Sequence, residues 1–92
     1  MGLSKDDAIR QARRDLAKRL GVSEDEIKEV SVERADFPDT ALGASIEDEM
    51  SGQMITSGWR IRLSAGGRGS HEYRAGDDEL RLYKFKGSNY RI

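Results

Sequence analysis

Phe37-Pro38-Asp39-Thr40-Ala41-Leu42-Gly43-Ala44-Ser45, followed by Gly52-Gln53-Met54-Ile55-Thr56-Ser57-Gly58-Trp59-Arg60-Ile61-Arg62-Leu63, joins a turn-rich loop to the strongest strand signal in the chain. Trp59, Ile61 and Leu63 alternate with Arg60, Arg62 and Ser64, the period-two pattern of a strand with one buried and one wet face. Pro38 fixes its own φ and pushes Phe37 into an extended conformation, so Phe37-Pro38-Asp39-Thr40 reads as a turn. The parity of Met54 and Thr56 conflicts with that of Trp59 unless Ser57-Gly58 forms a bulge, which glycine permits. From Ala35 to Gly52 no period is sustained, and so long a loop in a small domain either carries function or hides structure of its own.

Upstream, residues 4–20 read as a helix. Ser4 can cap the first turn, Asp6 and Asp7 sit where the helix dipole favours anions, and Lys18 and Arg19 where it favours cations. Ile9, Ala12, Leu16 and Leu20 form one apolar stripe, Asp6 with Arg10 and Asp15 with Arg19 form i,i+4 pairs, and Gly21 supplies the left-handed stop. Ser23 and Glu26 make a capping-box pattern around a single turn. Val30 and Val32 alternate with polar residues, predicting a first strand over 28–34. Downstream, strands are predicted over 53–65, 70–75 and 79–86, with turns on Ala65-Gly66-Gly67-Arg68-Gly69 and Gly76-Asp77-Asp78 and a fraying tail over 87–92. The predicted fold is α+β in two layers: one N-terminal helix packed on an antiparallel sheet of about four strands, as a single domain spanning 1–92.

Composition excludes several classes of chemistry. The 92 residues, 36% hydrophobic and 36% charged, suit one small core. No cysteine is present, which removes disulfides, thiolate metal sites and cysteine nucleophiles. No apolar run approaches the roughly 20 residues needed to cross a bilayer, so membrane insertion is not expected. Met1 to Asp6 lacks the apolar core of a signal peptide, and Asp6 stands where a myristoylation motif wants Ser or Thr. Residues 1–50 carry 8 Lys/Arg against 13 Asp/Glu, whereas residues 51–92 carry 8 against 4. The opposite-signed halves either attract within the fold or present separate faces to partners.

Phe37-Pro38-Asp39, Leu42-Gly43-Ala44 and Thr56-Ser57-Gly58-Trp59-Arg60-Ile61 resemble an uncharacterised bacterial domain family whose members carry W-P-D-x-S-L-G-C-P, then Q-x-x-T-P-G-Y and a strand. Glu72-Tyr73-Arg74 falls where that family has Y-E-Y, and the likeness covers about two thirds of the chain. Phe37 replaces Trp, Ala44 replaces Cys, Ser45 and Ser57 replace Pro, and Trp59 replaces Tyr. The resemblance implies for relatives a pairing of the loop cysteine with one around position 83; both are missing here. It also implies an extracytoplasmic setting, with no assigned chemistry. In outline the helix and sheet are similar to PepSY and cystatin-like modules, which implies peptide or protease binding.

Catalysis finds little support among the residues. His71 is the one histidine, Gly43-Ala44-Ser45-Ile46-Glu47 lacks the closing glycine of a nucleophile elbow, and Gly66 to Ser70 lacks the lysine and helix of a phosphate loop. The acidic clusters at 24–26, 47–49 and 77–79 lack calcium-loop spacing, so neither metal nor cofactor is expected. The leading expectation is a noncatalytic module, with a peptidase-inhibitor-like variant, that binds an unknown protein or peptide as a monomer. Its partner-binding candidates are Phe37, Asp39, Leu42, Gly43, Gln53, Met54 and Trp59, placed to receive an extended segment by strand addition; the competing expectation makes Phe37, Leu42, Met54 and Trp59 simple core residues, and for Trp59 and Leu42 it is the favoured one. Gln53 to Gly58 is one residue longer than the hairpin by which cystatins wedge into proteases. The runner-up is single-stranded nucleic acid on a basic sheet face of Arg60, Arg62, Arg74 and Arg81, opposed by a pI of 5.8. The remaining alternative is a purely structural domain of a larger or secreted protein.

Overall fold

The computed structural model describes residues 2–92; Met1, part of the N-terminal segment read above, lies outside them. Helix α1 runs Lys5–Leu20, capped by the Ser4 hydroxyl, which accepts from the Asp7 amide, and by Gly21 at φ 68°. Its buried face shares Ala12 and Leu16 with the predicted stripe but has Ala8 in place of Ile9: Ala8, Ala12 and Leu16 are fully buried and Ala17 nearly so, with Ile9 and Leu20 at the margins. Alanine at two of these three positions brings the helix axis close to the sheet, while the larger residues wedge along its sides. Arg10 pairs with Asp7 at 3.2 Å, not with Asp6, and Arg19 pairs with Asp15 at 2.7 Å as its spacing predicts. The Ser23–Glu26 capping box closes a single 3-10 turn.

Five antiparallel strands follow in meander order: β1 (Lys28–Phe37), β2 (Thr56–Ser64), β3 (Ser70–Ala75), β4 (Leu80–Phe85) and β5 (Ser88–Arg91). The sheet therefore has five strands, not four, and the predicted tail 87–92 is its edge. Lys86 and Gly87, at φ 52° and 85°, are the central pair of the turn between Phe85 and Ser88. Positive φ at both central residues is the geometry of a tight two-residue hairpin. Strand β1 also reaches Phe37, because Phe37 pairs with Thr56, and β2 starts at Thr56 and not at 53. The expected Ser57-Gly58 bulge is absent, since pairing runs unbroken from Phe37–Thr56 to Ser31–Arg62. With Met54 outside the strand, the parity conflict disappears. No helix among the described residues is long and apolar enough to cross a membrane.

Register assigns the two faces. Ile61, Tyr73, Leu82 and Tyr90 line up across four strands beneath α1, whereas Arg60, Arg74, Arg81 and Arg91 line up on the reverse. At the centre of the helix side, Tyr73 is fully buried and its hydroxyl donates to Asp15 at 2.7 Å. Burial and that carboxylate raise the phenol's pKa above its usual range. Tyr73→Phe, which removes a hydrogen bond to a charged acceptor, is expected to cost about 1.5 kcal/mol in urea denaturation; a neutral result would mean that Arg19 alone satisfies Asp15.

Segment 38–55 lies across the reverse face as a strap. Phe37, Ala41, Leu42 and Ala44 are buried there, outside the helix-side core. The loop without a period is thus ordered by contacts with the sheet, and the middle of the arginine row, Arg74 and Arg81, is roofed.

Candidate functional site

The strap is fastened by its own turn and by two arginines. One Asp39 carboxylate oxygen accepts from the amides of Ala41 and Gly43, both at 2.9 Å, which folds the backbone back at Leu42 and Gly43, φ 59° and 66°. A Cβ at Gly43 would lie 2.7 Å from Arg74 Nη1. That nitrogen donates to the Leu42 carbonyl at 3.0 Å, and the guanidinium stacks 3.6 Å from the Tyr83 ring centroid. Arg81, only 2% exposed, grips the strap further along. It donates to both oxygens of Glu49 at 2.5 Å, to the Ala44 carbonyl at 3.2 Å and to Glu79 at 3.0 Å. Hydrogen bonds from Arg81 hold the Glu49 carboxyl at a pKa of about 2, and the same bonds raise that of Arg81. Thr40 with Gly52, and Asn89 with the Ser45 carbonyl, tie down the strap's base and middle.

The expected basic face is therefore not an open one. Arg74 and Arg81 lie under the strap, Arg74 donating through Nε and Nη1 and Arg81 through both terminal nitrogens, while the buried Arg81 Nε has no partner among the described residues. Arg60 lies 3.4 Å from Glu72 and 3.8 Å from Glu33, while Arg62 pairs with Glu72 at 3.1 Å. Burial alone would raise the Glu72 pKa, but hydrogen bonds from Arg74 and Arg62 outweigh it and lower the value. A phosphate approaching this face would compete with carboxylates already in place.

The seven partner-binding candidates divide in two. Phe37 is buried beneath the strap, Leu42 is buried within it, and Asp39 and Gly43 shape its turn. Gln53, Met54 and Trp59 stay near the surface, where Met54 is 67% and its neighbour Ile55 74% exposed. Met54, Ile55 and Trp59, with Leu3, Arg34 and Asp77, line a groove of about 340 Å³ at one end of the sheet. The Leu3 amide donates to the Asp77 carbonyl, which brings the start of α1 to this end. Half-buried Trp59 carries Lys5 Nζ 5.0 Å and Arg34 Cζ 5.5 Å from its ring. Gln53 to Gly58 runs from the strap straight into β2 and forms no hairpin tip, so it does not reproduce the cystatin wedge.

A larger hollow, about 600 Å³, lies along β5 between Ser45–Glu47 and Gly87–Arg91. Its Asn89 amide and Ser45 carbonyl are bonded to each other, and its larger apolar residues, Ile46 and Tyr90, are half-buried, so it offers weaker anchors than the Trp59 groove. Sequence reasoning missed Lys5, Arg34 and Ile55. Arg34 was findable, since an unbulged β2 places it directly opposite Trp59.

No curated protein and no solved structure matches the chain. Residues 9–83 match the profile described as Domain of unknown function (DUF8738), a span that takes in most of α1, the strap and β1 to β3. The chain thus belongs to the uncharacterised domain family DUF8738.

Proposed function

We propose that this protein is a noncatalytic interaction module that receives an extended protein or peptide segment at the Trp59 groove. The observation that carries this reading is the pair of exposed apolar side chains, Met54 and Ile55, beside half-buried Trp59 in a groove at the end of the sheet. Exposed apolar groups around a partly buried aromatic ring are the usual makings of a binding hot spot. The groove adjoins β1, which among the described residues pairs with β2 alone and so leaves its other edge free to accept a strand. His71 fits the noncatalytic reading: it packs 5.3 Å from Phe85 and bonds the Arg68 carbonyl, away from the groove.

The test is an amide-shift titration of the labelled domain with extended apolar peptides. Shifts should cluster at residues 32–36 and 53–59, and Met54→Ser with Ile55→Ser should weaken binding at least tenfold without lowering the melting temperature. Shifts confined to the β5 hollow, or none, would overturn the assignment.

A further inference from the structure

We propose that the Trp59 groove selects segments carrying a carboxylate next to an apolar side chain; this rests on the interaction reading above and specifies its ligand. The argument begins with a contrast between two sets of cations. On the reverse face of the sheet Arg60, Arg62, Arg74, Arg81 and Arg91 are each paired with a carboxylate. Arg34, which lines the groove, and Lys5, beside it on the Trp59 ring, have no ion-pair partner among the described residues, although both are held over the same indole.

The carboxylates nearby do not fill this role. Asp77 lines the groove and offers its backbone carbonyl to Leu3, and Asp36 accepts from the Ser57 hydroxyl at 2.8 Å. Neither forms an ion pair with Lys5 or Arg34. The Thr56 hydroxyl is likewise occupied, by the Met54 carbonyl at 3.2 Å. The uncommitted groups held over the ring are therefore both cationic donors, while the Asp77 carboxylate, also without a bonded partner among the described residues, lies on the groove wall with Met54, Ile55 and Leu3.

Stacking on Trp59 restrains each cation's stem, so less side-chain freedom is lost when an anion docks. A guanidinium and an ammonium flanking one ring suit a carboxylate whose neighbour drops an apolar side chain against Met54 and Ile55. A neutral residue at that position would leave the cations with water alone, and a lysine would be repelled.

Trp59 is the one tryptophan in the chain, so its fluorescence reports directly on the groove. Three acetylated, amidated heptapeptides of alternating Thr and Val, differing only in the residue after a central Leu (Glu, Gln or Lys), would be titrated by fluorescence and by amide shifts. The Glu peptide is expected to bind at least tenfold more tightly than the Lys peptide, with the Gln peptide between them. Lys5→Gln with Arg34→Gln, both exposed positions, should bring the three affinities together while the thermal melt stays unchanged. Equal affinity of the wild-type protein for all three peptides would overturn the anion preference and leave the interaction reading standing. Absence of any fluorescence or shift response to all three at millimolar concentration would overturn both.

Discussion

Arg81→Ala is expected to cost about 4 kcal/mol of folding stability, the range seen when one member of a buried ion pair is removed. Arg81 is 2% exposed and is the shared donor to Glu49, Glu79 and the Ala44 carbonyl, so its loss leaves the two carboxylates facing each other with only the exposed Arg91, 3.3 Å from Glu79, beside them, and frees the strap. The loss is a quarter or more of a typical total of roughly 5–15 kcal/mol. Denaturation followed by Trp59 fluorescence reads the total, and hydrogen exchange at amides 41–49 reads release of the strap; a change under about 1 kcal/mol would show that the strap is held elsewhere. The same clasp has an acid limit. The folded Glu49 pKa, about 2, lies below its ordinary value of 4.5, so its contribution is complete above about pH 4.5 and disappears as pH falls toward 2. Glu49→Gln is expected to be less stable at neutral pH and to lose less on acidification, the remaining slope including that of Glu72.

Gly58→Ala is expected to cost about 3 kcal/mol, at the upper end for an overpacked site. A Cβ on Gly58 would run into the backbone carbonyl of Ala75 on the neighbouring strand. A carbonyl in a sheet cannot swing aside as a side chain can, so β2 and β3 must separate beside Trp59, and the indole emission should shift with the melting temperature. Gly67→Ala is the matched control: nothing lies within 4 Å of its added Cβ and its φ is not positive. It should stay within about 0.5 kcal/mol of the parent. If both substitutions behave alike, close approach of the strands is not what requires glycine at 58.

How much could be read from the chain depended on whether the deciding contacts were local. Helix α1 and β3 were legible because their caps and periods are properties of consecutive residues, and β3 spans the predicted 70–75. Strand β5 was not, because four residues after a single glycine carry no period; Tyr90 is placed by Leu82 across the hairpin and by Arg19 over its ring. The strap escaped for the same reason, since Glu49 and Arg81 are 32 residues apart and neither is unusual in its own neighbourhood. At the candidate site Met54 and Trp59 were legible as apolar residues by a loop, whereas Lys5 reaches Trp59 only once the helix start has docked against the turn at Asp77. Asp39 and Gly43 were read as contacts for a partner because turn chemistry that shapes a binding loop and turn chemistry that fastens a strap have the same sequence.

Joining residues 32 apart has a kinetic consequence. Meander hairpins bring neighbours together through short turns, so β2 to β5 can form at low entropic cost, whereas fastening Glu49 to Arg81 closes a much longer loop. Loop length therefore predicts that the strap fastens late, on the native side of the folding barrier. Weakening it hastens unfolding and leaves the folding rate nearly unchanged, so the clasp sets how long the folded state lasts more than how quickly it is reached.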